Sequence, residues 1–345
     1  MPVWGFCRGL SSVGIRPKVG ITLMAITRKN RVRRQGTGEG EGEGESSGPL
    51  CLLSNLPTVA LCFLIAAPHL QSSQLEFHLP VCFSRARGMS YQQHSSSSGS
   101  RMARRTFEFG RTHVVRPRGK HQATIVWLHG LGDNGSSLSQ HLESLALPNI
   151  KWICPTAPTR PVALLGGFPC TAWFDVREIS EDSPDDWEGL DASAAHIANL
   201  LSTEPADVKV GVGGFSMGAA TALYSATCFA LGKYANGSPY PINLRAVIGL
   251  SGWLPGSRSL RNKMEVSSDA ARRASSLPIF LCHGTSDDVV PFNFGERSSR
   301  YLSSAGFRYV SFKSYDGLGH YTVPKEMDDV CQWLTARLGL EGYGS

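Results

Sequence analysis

Residues 209–223, KVGVGGFSMGAATAL, restrict the folds open to this chain more than any other stretch. An apolar run enters a glycine-rich turn, and small residues suited to close helix packing follow it. The glycines admit two chemistries. A dinucleotide fingerprint would need a third glycine where Ser216 stands, and an acid about 20 residues on. None occurs between Ser216 and Glu265. A P-loop would need Lys and Ser/Thr after its last glycine, yet Gly218 is followed by Ala219 and Ala220. The pattern that fits is G-x-S-x-G, with Gly214 and Gly218 flanking Ser216 on a strand-to-helix turn. Such a turn lifts the serine hydroxyl clear, and the residues two before and two after it crowd together, so both must lack side chains. Ser216 then stands at a helix N-terminus. The unpaired N–H of Met217 and the helix dipole face any charge that develops on a substrate oxygen.

The rest of the chain supplies a sheet for that turn. Short apolar runs at 123–128, 151–154, 208–215, 245–251, 278–282 and 308–315 alternate with segments of helical period. Leu190, Ala194, Ile197 and Leu201 form one apolar stripe, and Met327, Val330, Cys331, Leu334 and Leu338 another, the latter after Pro324 in a first-turn position. This alternation predicts a mostly parallel sheet covered on both faces, with chemistry at the carboxyl ends of its strands. Those ends read HGLGDNG, GGFSMG, HGTSDD and DGLGH.

In an α/β-hydrolase fold the serine is followed along the chain by an acid and then a histidine. Of ten histidines only His320 lies beyond the acid candidates, in a glycine-rich loop after a strand. Six acids fall between Ser216 and His320, and Asp287 and Asp288 are the two just past a strand end. His129 and His283 each precede a glycine at a strand end and are expected to bond loop backbone and shape the site. Trp173, Phe174 and Leu165 fit either an acyl groove or plain core. Residues 181–188 read as a solvated loop ending in a helix cap. Residues 256–276, with Arg258, Arg261, Lys263, Arg272 and Arg273, read as a mobile surface loop, with attraction to a membrane surface as the lesser alternative.

Charge and cysteines exclude other classes. The net charge is +6, of which residues 1–88 hold +5, from ten Lys/Arg against five Glu. The nearly neutral remainder lacks the basic stripe of a nucleic-acid binder. Nine cysteines include no CxxC pair, so neither a zinc site nor a disulfide framework is indicated, and reduced thiols fit best. Residues 1–88 join an Arg-rich start, a GEGEGEGE tract and a ten-residue apolar run at 58–67, too short to span a bilayer. They read as a disordered extension or an organelle-targeting segment, 89–103 as a flexible linker, 104–340 as the folded domain and 341–345 as a tail.

From about residue 106 to 340 the chain resembles the acyl-protein thioesterase and lysophospholipase family of serine hydrolases, its plant members above all. The resemblance lies in LHGLGDNG (128–135), PTAP (155–158), WFDV (173–176), GGFSMG, LSGWLP (250–255), CHGTSDDVVP (282–291) and GLGH. It implies an α/β-hydrolase fold, Asp287 as the acid, Leu131 N–H as a second oxyanion donor and no cofactor. Implied partners are acylated proteins, lysophospholipids or smaller acyl esters, with transient membrane-surface contact, a monomer or weak dimer, and a cytoplasmic site of action. A carboxylesterase of short-chain preference and a non-catalytic receptor on the same fold are the alternatives. Met217 departs from the family's usual glutamine, and 162–172 departs from its usual approach to the tryptophan.

Overall fold

The structure, a computed structural model, describes residues 107–265 and 267–340. The expectations for 1–88, 89–103 and 341–345 lie outside the described residues. Numbered in chain order, the strands are β1 (His113–Val115), β2 (Ala123–Leu128), β3 (Ile150–Cys154), β4 (Thr159–Val162), β5 (Phe168–Thr171), β6 (Lys209–Phe215), β7 (Ala246–Leu250), β8 (Pro278–Gly284) and β9 (Tyr309–Tyr315). The helices are α1 (Gly135–Glu143), α2 (Trp187–Leu201), α3 (Met217–Leu231), α4 (Ser257–Glu265), α5 (Ser268–Ser276), α6 (Phe292–Ser304) and α7 (Pro324–Leu338). Seven strands form one sheet in the order β1-β3-β2-β6-β7-β8-β9. Only β1 runs antiparallel to its neighbour. β4 and β5 make a separate antiparallel hairpin around a short 3-10 turn, Ala163–Leu165.

The apolar runs become central strands because both faces of the sheet are covered. Successive side chains point to opposite faces. Val126, Leu128, Val212 and Val247 therefore join a core with Leu190, Ile197 and Leu223 of α2 and α3. Ile125, Trp127, Ile248 and Phe280 join a second core with Leu142 of α1 and Leu334 of α7. Each fully buried aliphatic or aromatic side chain contributes about 1.5–3 kcal/mol. α3 has no polar face at all: every residue from Met217 to Ala230 is buried.

Residues 256–276 are not a loop. They form α4 and α5, and the expectation fails because the apolar spacing is sparse but regular. Leu260 and Met264 of α4, and Ala270 and Ala274 of α5, are each four apart and buried against α3 and its neighbours. The basic residues are engaged too. Arg258 pairs with Asp182, Arg261 with Glu265, and Arg272 with Asp269. Arg273 donates to the carbonyls of Phe229 and Ala230 at the end of α3, a satisfied helix C-terminus. Residues 181–188 do end in a cap, where Asp186 accepts from Gly189 N–H at 3.0 Å.

Candidate active site

The carboxyl ends of β2, β6, β8 and β9 converge on Ser216. Its backbone has φ 56° and ψ −121°, a strained conformation for a residue with a side chain, at a cost of about 1–3 kcal/mol. Its N–H donates to Leu250 O at 2.8 Å, and its carbonyl accepts from Ala220 N–H at 3.1 Å. The flanking glycines are required sterically. A Cβ on Gly214 would lie 2.6 Å from the Gly218 carbonyl carbon, and one on Gly218 would lie 2.3 Å from Leu128 O.

Ser216 Oγ lies 2.9 Å from His320 Nε2, and His320 Nδ1 lies 2.8 Å from Asp287 Oδ2. The other carboxylate oxygen, Oδ1, accepts from the N–H groups of Val289 (3.0 Å) and Val290 (2.8 Å). Burial opposes ionisation of Asp287. The contacts with His283 and His320 and the Val290 amide outweigh it and hold the carboxyl well below the ordinary carboxylate range. An ionised Asp287 can only accept, which puts a proton on His320 Nδ1 and leaves Nε2 free to take the Ser216 proton. Asp288 is exposed and takes no part in this chain of contacts.

The loop after β2 is held by buried groups. His129 accepts from Ala157 N–H through Nε2 at 3.0 Å, so Nδ1 carries the proton and donates to Gly130 O at 2.6 Å. Burial lowers its basicity, in keeping with a neutral ring. Trp173 Nε1 donates to His129 O at 2.8 Å, and Gly132 N–H donates to Thr171 O at 2.9 Å. Leu131 lies between these anchors. Its N–H and that of Met217 have no hydrogen-bond acceptor among the described residues. His129 and His283 both bond loop backbone, as their sequence context suggests.

Trp173 and Phe174 are 1% and 2% exposed, so they belong to the core and do not line an open groove. Phe174 meets Trp253 edge-on at 6.0 Å. Leu165, half-buried in the 3-10 turn between β4 and β5, is the only one of the three with surface to offer. Cys282 is buried, and burial pushes its thiol well up, as it raises that of the half-buried Cys170, which disfavours the thiolate at both. Beneath the β8 and β9 ends, Glu326 of α7 is fully buried with neither carboxyl oxygen hydrogen-bonded, and burial raises it to about 7. A cavity of about 1150 Å³ lies away from Ser216, between α2, α4 and the far half of α3. Among the described residues no cluster of His, Cys, Asp or Glu could hold a metal, and no helix is long and apolar enough to cross a membrane.

A parallel sheet with a strained serine between its central strand and a buried helix defines an α/β-hydrolase. The profile of the Phospholipase/Carboxylesterase family matches residues 110–338. Acyl-protein thioesterase 1 of Cryptococcus neoformans is 31% identical over 245 residues, 65% of this chain and 96% of its own. The crystal structure of Zea mays acyl-protein thioesterase 2 aligns with a TM-score of 0.66 and 72% identity, over 67% of this chain and all of the maize chain. Arabidopsis thaliana SOBER1 aligns at 0.52 and 30%, over 63% of this chain and 99% of its own. The chain belongs to the phospholipase/carboxylesterase family, and it is a serine hydrolase of acyl esters or thioesters.

Proposed function

We propose that this protein removes acyl groups from acylated proteins by thioester hydrolysis, with Ser216 as nucleophile, His320 as general base and acid, and Asp287 as the group that orients His320. The observation that carries the reading is the unbroken contact chain from Ser216 Oγ through the His320 ring to Asp287 Oδ2, at 2.9 and 2.8 Å. His320 Nε2 takes the hydroxyl proton as Oγ attacks the acyl carbon. The negative charge that forms on the acyl oxygen meets the Leu131 and Met217 N–H groups, each donor of this kind giving on the order of 10²-fold or more in rate. His320 returns its proton to the departing sulfur or oxygen. A water then enters, gives its proton to His320 and releases the acid by the same steps.

The names of the maize and fungal relatives support the thioester assignment. Lysophospholipids and smaller acyl esters remain chemically equivalent substrates for the same serine. The folded body of the enzyme is proposed to span residues 104–340, acting from the cytoplasm on membrane-associated acyl groups. A fluorophosphonate probe tests the nucleophile: it labels the native chain at one serine and fails on Ser216→Ala. Labelling that persists in the variant sinks the assignment. A series of acyl thioesters and esters, from acetyl to palmitoyl, tests the substrate, and the proposal requires long-chain thioesters to be turned over fastest.

A further inference from the structure

Asp287 has a second histidine beside it. His283, 1% exposed at the end of β8, reaches across the acid loop, its Nε2 lying 2.8 Å from Val290 O and 3.4 Å from Asp287 Oδ2. A carbonyl can only accept, so Nε2 carries a proton. Val290 is thus held through both of its backbone groups. Its N–H donates to Asp287 Oδ1 at 2.8 Å while its carbonyl accepts from His283. α6 makes room for the ring, since a Cβ on Gly295 would lie 2.3 Å from His283 Nδ1. The groups facing the Asp287 carboxylate are therefore His283 from β8, His320 from the loop after β9, and the Val289 and Val290 amides.

We propose that His283 is a positioning residue for the reaction: its Nε2–H fixes the Val290 peptide and leans on Asp287 Oδ2, so the carboxylate presents one fixed, ionised oxygen to His320. The proposal rests on the reading of Ser216, His320 and Asp287 as the reacting set. A fixed donor beside a charged acceptor favours the ionised form. Burial of an unshared carboxylate would instead favour its protonation, and a protonated Asp287 could not orient His320.

The test compares His283→Phe, which keeps a ring and loses the donor, with His283→Gln, which keeps an N–H, in the full chain. His283→Phe is expected to lower kcat about 10- to 100-fold, the worth of a hydrogen bond to a charged group, with KM within about twofold. The acid limb of its kcat/KM profile moves to higher pH, because the buried Asp287 carboxylate, short of that donor, holds its proton to higher pH. His283→Gln recovers most of kcat and the limb position. A purely packing role predicts an unmoved acid limb, or Gln no better than Phe, and either overturns the proposal. Should the Phe variant fail to fold, the native chain labelled with ¹⁵N-histidine decides. The His283 Nε2 proton must be present and must shift in Asp287→Asn, and its absence or indifference overturns the proposal. Activity that survives Asp287→Asn or Ser216→Ala would count against the reacting set itself, a separate failure.

Discussion

Glycine serves opposite ends at two turns of this molecule. In the turn after β6 the positions beside Ser216 must be bare because a methyl group would strike backbone, within 2.3 Å at Gly218 and 2.6 Å at Gly214. In the turn between β4 and β5, Gly166 and Gly167 have φ of 65° and 87°, yet a Cβ there would meet nothing within 4 Å. The first turn is fixed by its surroundings, the second only by its own backbone. Phe168, 61% exposed, follows the open turn, whereas Ser216 is buried, with its N–H bonded to Leu250 O at the end of β7 and its Oγ to His320 Nε2. The proposed chemistry belongs to the crowded turn, and substitutions in the hairpin are expected to cost little.

The largest effect that can break this contrast is Ser216→Ala. It should abolish the assigned activity, by about 10⁴-fold or more in kcat, while the thermal midpoint stays or rises as backbone strain persists without a hydroxyl to lose. Residual turnover near the native rate would move the chemistry elsewhere. Next comes Gly218→Ala, expected to cost about 3 kcal/mol or more, measured by denaturant unfolding, because the β2 end must retreat. Whatever protein still folds should lose about 10²-fold in rate, since the loop bearing Leu131 shifts with it. A tolerated alanine would mean the turn is looser than its contacts imply.

Glu326 sharpens the comparison at the acid side of the site. Its folded-state value of about 7 lies above the usual 4.5, so the native state binds the extra proton. The contribution of Glu326 to stability is therefore full at and below pH 4.5, falls as pH rises toward 7, and levels off above it, a loss on the order of 3 kcal/mol. Glu326→Gln should remove most of that slope and be the more stable protein at pH 8, as read by unfolding at several pH values. Identical slopes in the two proteins would refute it. The smallest effects belong to the hairpin. Gly167→Ala should cost about 1 kcal/mol, from the left-handed backbone alone. Phe168→Ala should leave the unfolding free energy within about 0.5 kcal/mol.

The same contrast explains what could be read from the sequence. The central strands were legible because burial on both faces demands continuous apolar runs, and α7 because its apolar residues recur at helical spacing after Pro324. The runs at 123–128 and 324–338 coincide with β2 and α7 at both ends. β1 is three residues long, and β4 contains Pro161 and exposed positions, so neither carries a strand signal. α4 and α5 each bury only two residues amid charge and serine, too thin a stripe to separate from a surface loop. The contact between Ser216 and His320 was expected from chain order. Asp287 could not be told from Asp288 by residue type or by the strand end, since tertiary burial alone divides them. The grip of His283 on Val290 was hidden for the same reason. It spans seven residues of one loop, and only the spacing of a histidine four before the acid hinted at it.

The helix that follows Ser216 buries every residue from Met217 to Ala230, and this bears on when the enzyme can move. Amide protons in such an element exchange with solvent only when the domain as a whole opens, whereas loops open locally. In deuterium, α3 should be the last segment to take up label, well after the hairpin between β4 and β5. Ser216, the proposed nucleophile, thus caps a helix expected to open last among the described residues, and motions that pace turnover are expected in the loops around it.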